Sequence, residues 1–364
     1  MSRIPWAQPY IGDEEVEAVT ALLRERRISM GPQVAGLERE LAALAGRRHG
    51  VAVANGTVAL DVALRIAGIG PGDRVLVSAL SYIATVSSIV LRGAAPVFCD
   101  VDPGTLNLAP ASVEAKAEGA AALLVADYCG SPVDYGSLEP ICARHGLQLV
   151  VDGAQSLGSL YGGRPTLARG LVSTTSLHTA KSFITGEGGM VFLDDDELET
   201  RARRYRGQGE IPGRKYIHDT LASNYRMTDY AAAIGRVQIA RFDAVQARRH
   251  ELTGRYDSLL GATPGVEVVG HHPGGEPSRF GYALLVDDRD RVAAELAATD
   301  IETRSLYPIT AYRQPIPEYA PFAGVVCPAA ELASARVLNL PLFYEMTDAQ
   351  VDRVCAALGR AVGR

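Results

Sequence analysis

From residue 51 onward, short apolar runs alternate with longer mixed stretches. Val51-Ala52-Val53-Ala54 reads as a strand, Asn55-Gly56-Thr57 as a turn, and 58–67 as a helix. Gly70-Pro71-Gly72-Asp73 turns the chain into a second strand, Arg74-Val75-Leu76-Val77-Ser78. A helix follows near 81–91, then the strand Pro96-Val97-Phe98-Cys99-Asp100. The same alternation predicts a strand over 121–126, a helix over 135–143 and a strand over 147–151. Strands that alternate with helices require right-handed crossovers and build a mostly parallel sheet covered on both faces, an α/β fold. Ligands in such sheets collect beyond the carboxyl ends of the strands.

The flanking regions read differently. Residues 1–12, with Pro5, Trp6 and Pro9, predict an extended arm. Asp13 is the expected N-cap of a helix to about residue 26, and Gly31-Pro32 separates it from a second helix to about residue 45. Leu171-Val172-Ser173-Thr174-Thr175 and Met190-Val191-Phe192-Leu193 are expected strands on either side of a tight loop. Residues 224–260 predict a turn and then a long helix leading into a smaller lobe. That lobe is expected to be α+β, with strands near 266–269, 282–286 and 301–304 and helices near 291–298, 329–337 and 348–358. The expected division is an arm (1–12), a large domain (13–245) and a small C-terminal domain (246–364), without internal repeats.

Composition narrows the function. With 364 residues, 47% of them hydrophobic, the chain can bury a large core. A net charge of −6 argues against a general nucleic-acid binder. The arginines between 201 and 206 read as one charged helix face. Cys99, Cys129, Cys142, Cys327 and Cys355 form no Cys-x-x-Cys pair, which argues against a zinc or iron–sulfur site and fits a reducing cytoplasm. The histidines lack metal-type spacing, and His271-His272 lie among Gly and Pro. No apolar run reaches membrane-spanning length, and no signal-peptide pattern is expected at the start.

The candidate chemistry centres on the loop Ser176-Leu177-His178-Thr179-Ala180-Lys181, followed by Gly186-Glu187-Gly188-Gly189. Upstream, the strand Val150-Val151 ends in the carboxylate of Asp152. A lysine on a rigid loop and an acid at a neighbouring strand end suit an enzyme that uses pyridoxal phosphate. The lysine forms the Schiff base and the acid keeps the pyridine nitrogen protonated. Gly56 and Thr57 open a helix directly after a strand, where free N–H groups attract a phosphate, unless the turn is an ordinary cap. Ser176 can add its hydroxyl. Tyr82 is placed either to lie on the ring or to pack in the core. Asp152 is either the ring's charge partner or a helix cap, and Gln155, three residues on, is a candidate to hydrogen-bond the ring hydroxyl.

Taken in order, these segments resemble the DegT/StrS sugar aminotransferases, a branch of the fold-type I pyridoxal phosphate enzymes, over nearly the whole chain. Gly12-Asp13-Glu14-Glu15, Ile28-Ser29-Met30-Gly31, Ser81-Tyr82-Ile83-Ala84-Thr85 and Val101-Asp102-Pro103 add to the resemblance. So do Asn224-Tyr225-Arg226-Met227-Thr228-Asp229 and Leu340-Pro341-Leu342 with Met346-Thr347. The resemblance implies that Lys181 is the Schiff-base lysine, that Asp152 partners the pyridine nitrogen, that Gln155 meets the ring hydroxyl and that Tyr82 stacks on the ring. It also implies that Gly56, Thr57 and Ser176 hold the phosphate, and that Asn224 reaches the phosphate of a neighbouring subunit in a homodimer. The implied donor is glutamate or glutamine and the acceptor a keto-sugar, nucleotide-linked, in a specialised pathway such as antibiotic biosynthesis.

Some positions depart from the family pattern. Tyr307-Pro308 is not followed by the family's frequent histidine, the histidine near the fourth strand is replaced around Asp127, and Leu177 stands where an aromatic is common. These departures leave open a cyclitol or another small carbonyl compound as acceptor. A sugar dehydratase or oxidase on the same fold is the second expectation, opposed by the presence of Lys181. A non-catalytic regulator is the third, opposed by the absence of a basic segment.

Overall fold

Seven strands of five residues each form the central sheet of the computed structural model, which describes residues 3–211 and 213–363. The arm expected over 1–12 is therefore described from Arg3, and Met1, Ser2, Pro212 and Arg364 lie outside the described residues. The strands are β1 (His49–Val53), β2 (Arg74–Ser78), β3 (Ala95–Cys99), β4 (Ala122–Ala126), β5 (Gln148–Asp152), β6 (Val172–Ser176) and β7 (Gly189–Leu193). Their order across the sheet is β1-β7-β6-β5-β4-β2-β3. The pairs within β3, β2, β4, β5 and β6 are parallel, whereas β7 runs antiparallel to both β6 and β1. The sheet is thus mostly parallel with one reversed strand.

Both faces are covered, which is why the strands are buried at most positions and rich in apolar residues. The exception is β6, with Ser173, Thr174 and Thr175 buried through their hydroxyl hydrogen bonds. Side chains alternate between faces. Val75, Val77 and Val150 join one core cluster, and Leu76, Leu149 and Val151 join another. The period of two therefore turns Asp152 to the same face as Val150. That face also carries α3 (Gly56–Ile66) and α4 (Ile83–Leu91).

A long helix, α6 (Asp229–Leu260), links two cores. Its first half packs Ala231, Ala232 and Phe242 with α2 (Pro32–Leu44), and its second half packs Leu252, Tyr256 and Leu260 in a separate C-terminal cluster. The C-terminal sheet pairs Tyr282–Leu285 with Glu267–Val268 on one side and Val337–Leu340 on the other.

The structure corrects four expectations. Asp13 is the first residue of α1 (Asp13–Arg24) rather than its cap. Gly12 takes that place, and its N–H donates to the Glu15 carboxylate at 2.8 Å, so the acid at the third helical position supplies the acceptor. The strand expected near 301–304 is reduced to two isolated bridges, Ile301 with Ile4 and Arg304 with Asn339. The partner changes within three residues, so no ladder forms. The helix expected to reach Val337 ends at Arg336, and the chain continues directly into the strand Val337–Leu340. Finally, the arginines of α5 (Asp196–Arg206) are not one solvated face.

Arg206 is buried against Glu38 at 2.6 Å, and Arg203 reaches the other oxygen of the same carboxylate at 2.9 Å. Glu38 also accepts the N–H of Ala52 at 2.9 Å, which ties α2 to β1. Removing the acid leaves a buried guanidinium without its counter-charge. Glu38→Ala is expected to cost about 3–5 kcal/mol of stability, read by chemical denaturation; a loss well under 1 kcal/mol contradicts this assignment. Among the described residues, no helix is long and apolar enough to cross a membrane, and no group of three His, Cys, Asp or Glu is placed to hold a metal.

Candidate active site

A cavity of about 570 Å³ opens beyond the carboxyl ends of the parallel strands. Gly56, Thr57, Tyr82, Asp152, Gln155, Ser176 and Lys181 all line it, although the chain separates them widely. Asn224 does not line it. That residue is exposed and bridges Gly207, and its side-chain oxygen accepts the N–H of Arg226 at 3.3 Å.

Lys181 sits in the loop between β6 and β7, which is bonded across itself. Leu177 N donates to Gly188 O at 2.9 Å, Thr179 N to Gly186 O at 3.1 Å and Thr185 N to Leu177 O at 2.8 Å. Gly188 is needed there, since an added Cβ would lie 2.3 Å from Thr185 Oγ1. The loop is therefore a fixed platform. Lys181 Nζ lies 4.8 Å from the centre of the Phe280 ring. Burial lowers its ammonium pKa to about 8, with Asp152 pulling the other way.

Asp152 ends β5 and is 6% exposed. Thr85 Oγ1 donates to Oδ2 at 2.7 Å, and Ala154 N donates to Oδ1 at 3.1 Å. Burial raises its pKa, against those two hydrogen bonds and the nearby lysine. No helix follows Asp152, so the helix cap read from the sequence is not formed; Ala154 N instead closes a local turn onto the same carboxylate that faces the cavity.

At the other end, Asn55 caps α3 by accepting the N–H of Val58 at 3.0 Å. The first-turn N–H groups of Gly56 and Thr57 have no acceptor within the helix and carry its positive end. A Cβ on Gly56 would lie 2.7 Å from Ser176 Cβ, so glycine is what lets Ser176 stand beside this turn. The turn is braced from behind, where Ala54 N donates to Tyr225 O at 2.8 Å.

Tyr82 caps α4 and is 58% exposed, which sets aside a place in the core. Gln155 is held at both ends of its amide, by Cys129 N at 2.7 Å and by the Tyr307 hydroxyl at 2.9 Å.

Sequence reasoning missed Thr85, Trp6, Phe280 and Tyr307, all of which line the cavity. Thr85 follows Tyr82 by three residues, a helical spacing that puts both on one face. The aromatics come from the arm and from the C-terminal half, and nothing local marks them. Asp127 also lines the cavity and is buried. Its carboxylate accepts Val133 N at 2.9 Å and the Tyr135 hydroxyl at 3.2 Å, and burial lifts its pKa to about 6.

The donor set fits pyridoxal phosphate. Free N–H groups and a hydroxyl suit a phosphate, a desolvated carboxylate suits a protonated ring nitrogen, and a partly neutral amine lies on the same cavity.

Comparison with known proteins agrees with this geometry. The model of the DegT/DnrJ/EryC1/StrS aminotransferase family matches residues 9–359. The chain is 35% identical to GDP-perosamine synthase of Caulobacter vibrioides over 371 residues, covering 100% of this chain and 99% of that one. DesV of S. venezuelae has 32% identity and a TM-score of 0.94, with 100% of both chains covered. The aminotransferase TlmJ of Streptoalloteichus hindustanus has 29% identity and a TM-score of 0.92, covering 100% of this chain and 99% of that one. With Lys181, Asp152 and the Gly56–Thr57 turn assembled on this fold, the chain belongs to the DegT/DnrJ/EryC1/StrS aminotransferase family and is a pyridoxal phosphate-dependent transaminase.

Proposed function

We propose that this enzyme moves an amino group from glutamate or glutamine to a keto-sugar carried on a nucleotide, in a specialised biosynthetic pathway of the cytoplasm. The observation that carries the reading is the meeting of Lys181, Asp152 and the Gly56–Thr57–Ser176 donors on one cavity. The similarity to a protein named GDP-perosamine synthase supports a nucleotide-linked sugar as acceptor.

The chemistry that pyridoxal phosphate supplies when bound is carriage of the amino group, with a conjugated ring as electron sink. The rest belongs to this chain. Gly56 N–H, Thr57 N–H and the Ser176 hydroxyl would bind the phosphate. Asp152 would hold a proton on the ring nitrogen, stabilised as an anion by Thr85 and Ala154 N. Tyr82 would orient the ring plane, and Gln155 would offer its amide to the ring hydroxyl. Lys181 Nζ would bind the cofactor covalently and, once released, take a proton from the substrate carbon and return it at the carbon that receives it. With its pKa lowered to about 8, a substantial share of this amine is neutral near that pH and able to accept a proton. Phe280, packed on Lys181, helps exclude water from the proton path.

The same reading makes the working unit a homodimer with shared sites. Asn224, outside the cavity of its own chain, would reach the partner's phosphate. Exposed Ile11, Val16, Leu23 and Met30 offer apolar surface for a second copy. The division into an arm (1–12), a cofactor domain (13–245) and a small domain (246–364) belongs to this proposal.

Two experiments bear on it. With labelled amino nitrogen in glutamate or glutamine and a panel of nucleotide-linked keto-sugars, the label should appear in an amino-sugar. Transfer only to unlinked carbonyl compounds would replace the acceptor class. Gly56→Ala should weaken cofactor affinity by about 5- to 150-fold, since the new methyl crowds Ser176. Unchanged affinity in a cofactor titration would remove this turn from the phosphate site.

A further inference from the structure

We propose that Tyr307 is a positioning residue that sets the orientation of the Gln155 amide toward the cofactor's ring hydroxyl. This rests on the reading of the cavity as a pyridoxal phosphate site.

The amide orientation follows from its partners. Cys129 N–H can only donate, so the atom facing it at 2.7 Å is Gln155 Oε1. Nε2 therefore faces Tyr307 Oη at 2.9 Å and donates to it. One N–H of Nε2 is used, and the other is left over on a side chain that lines the cavity. The phenol stays neutral. Burial pushes its pKa up, and Cys129, Asp152 and Tyr82, which face it, push the same way. A neutral phenol keeps an oxygen lone pair for Nε2 at every working pH.

Tyr307 is itself immobilised. Leu306 N donates to Asn339 Oδ1 at 3.0 Å, and Asn339 Nδ2 donates to Cys129 Sγ at 3.2 Å. The Tyr128 hydroxyl donates to Leu306 O. Cys129, Gln155, Tyr307, Leu306 and Asn339 thus form a circuit of four hydrogen bonds closed by the peptide bond between Leu306 and Tyr307. It joins the segments after β4 and β5 to the C-terminal strand Val337–Leu340. Without Tyr307 Oη, the amide keeps one anchor and regains rotation about its last torsion.

The test is Tyr307→Phe, which preserves the ring and removes only the oxygen. The pH at which the bound cofactor's visible band interconverts should move by about 0.5–1 unit. Turnover should fall about fivefold, with KM for the amino donor unchanged within about twofold. In a Gln155→Leu background the same substitution should produce no further spectral shift, because its effect passes through the amide. Titration curves of wild type and Tyr307→Phe that superimpose overturn the proposal. A full shift retained in the Gln155→Leu background also overturns it, since Tyr307 then acts on the cofactor directly. A wild-type protein that takes up no chromophore defeats the cofactor-site reading and this inference together; an unshifted chromophore defeats this inference alone.

Discussion

Lys181→Ala should lose at least about 10⁴-fold in turnover while keeping its fold. The argument is chemical. Lys181, over the Phe280 ring, is the amine that burial brings down to about 8 even though Asp152 pulls it up. Lys181→Arg should be as inactive, because guanidinium keeps its proton at every working pH. Small primary amines added to Lys181→Ala should restore part of the rate, since the cavity keeps its volume. Activity within tenfold of wild type in either variant would end the assignment.

The pH dependence has a definite sign. Below about pH 8 the lysine is mostly protonated and cannot attack, so covalent capture of the cofactor by the apoprotein should rise with pH and level off above that value. Stability follows the same proton. Its folded pKa lies below the ordinary value of roughly 10.4, so between the two the unfolded chain binds more protons. Apoprotein stability contributed by this group therefore increases from about pH 8 upward, and below that the cost of burying the charge is fully present. A flat capture rate between about pH 6 and 10 would contradict the assigned environment.

Asp152→Asn should reduce turnover by about 10²- to 10³-fold, the loss expected when one member of a buried charge pair is removed. Asparagine keeps the shape and can still accept from Thr85 Oγ1, now 2.7 Å from the carboxylate. Apoprotein stability should be unchanged or higher, because burial already disfavours this charge. The combination of intact fold and lost turnover separates a role at the ring nitrogen from a purely structural one. Thr85→Val should give a smaller loss, about tenfold, through the same carboxylate. If Asp152→Asn turned over within about threefold of wild type, the acid would have no part in the chemistry.

Much of the large sheet was legible in the chain. A strand covered on both faces tends to be apolar, as in β2 and β4, and the turns Asn55-Gly56 and Gly70-Pro71-Gly72 bound such runs. The reversal of β7 was not legible, since five buried residues look the same in either direction. The strand Val337–Leu340 was not read, and its first residue was given to the preceding helix, because only its pairing with Tyr282–Leu285 marks it as a strand. In the cavity, Lys181 and Asp152 stood out because a lysine in a glycine-bounded loop and an acid ending an apolar strand are costly unless paired. Tyr307, Phe280 and Trp6 did not, because an aromatic reads equally well as core.

What the sequence by itself determined is therefore local. It set which runs become strands and helices, where glycine must let the backbone pass, and which side chains carry an amine, an acid or a hydroxyl. Only the tertiary structure decided that Gly56, Asp152 and Lys181 share one cavity, that Arg206 turns inward to Glu38, and that Tyr307 closes on Gln155. The physical reason is range. Backbone preference and hydrophobic period act over a few residues, whereas desolvation and hydrogen-bond geometry depend on neighbours that only packing supplies.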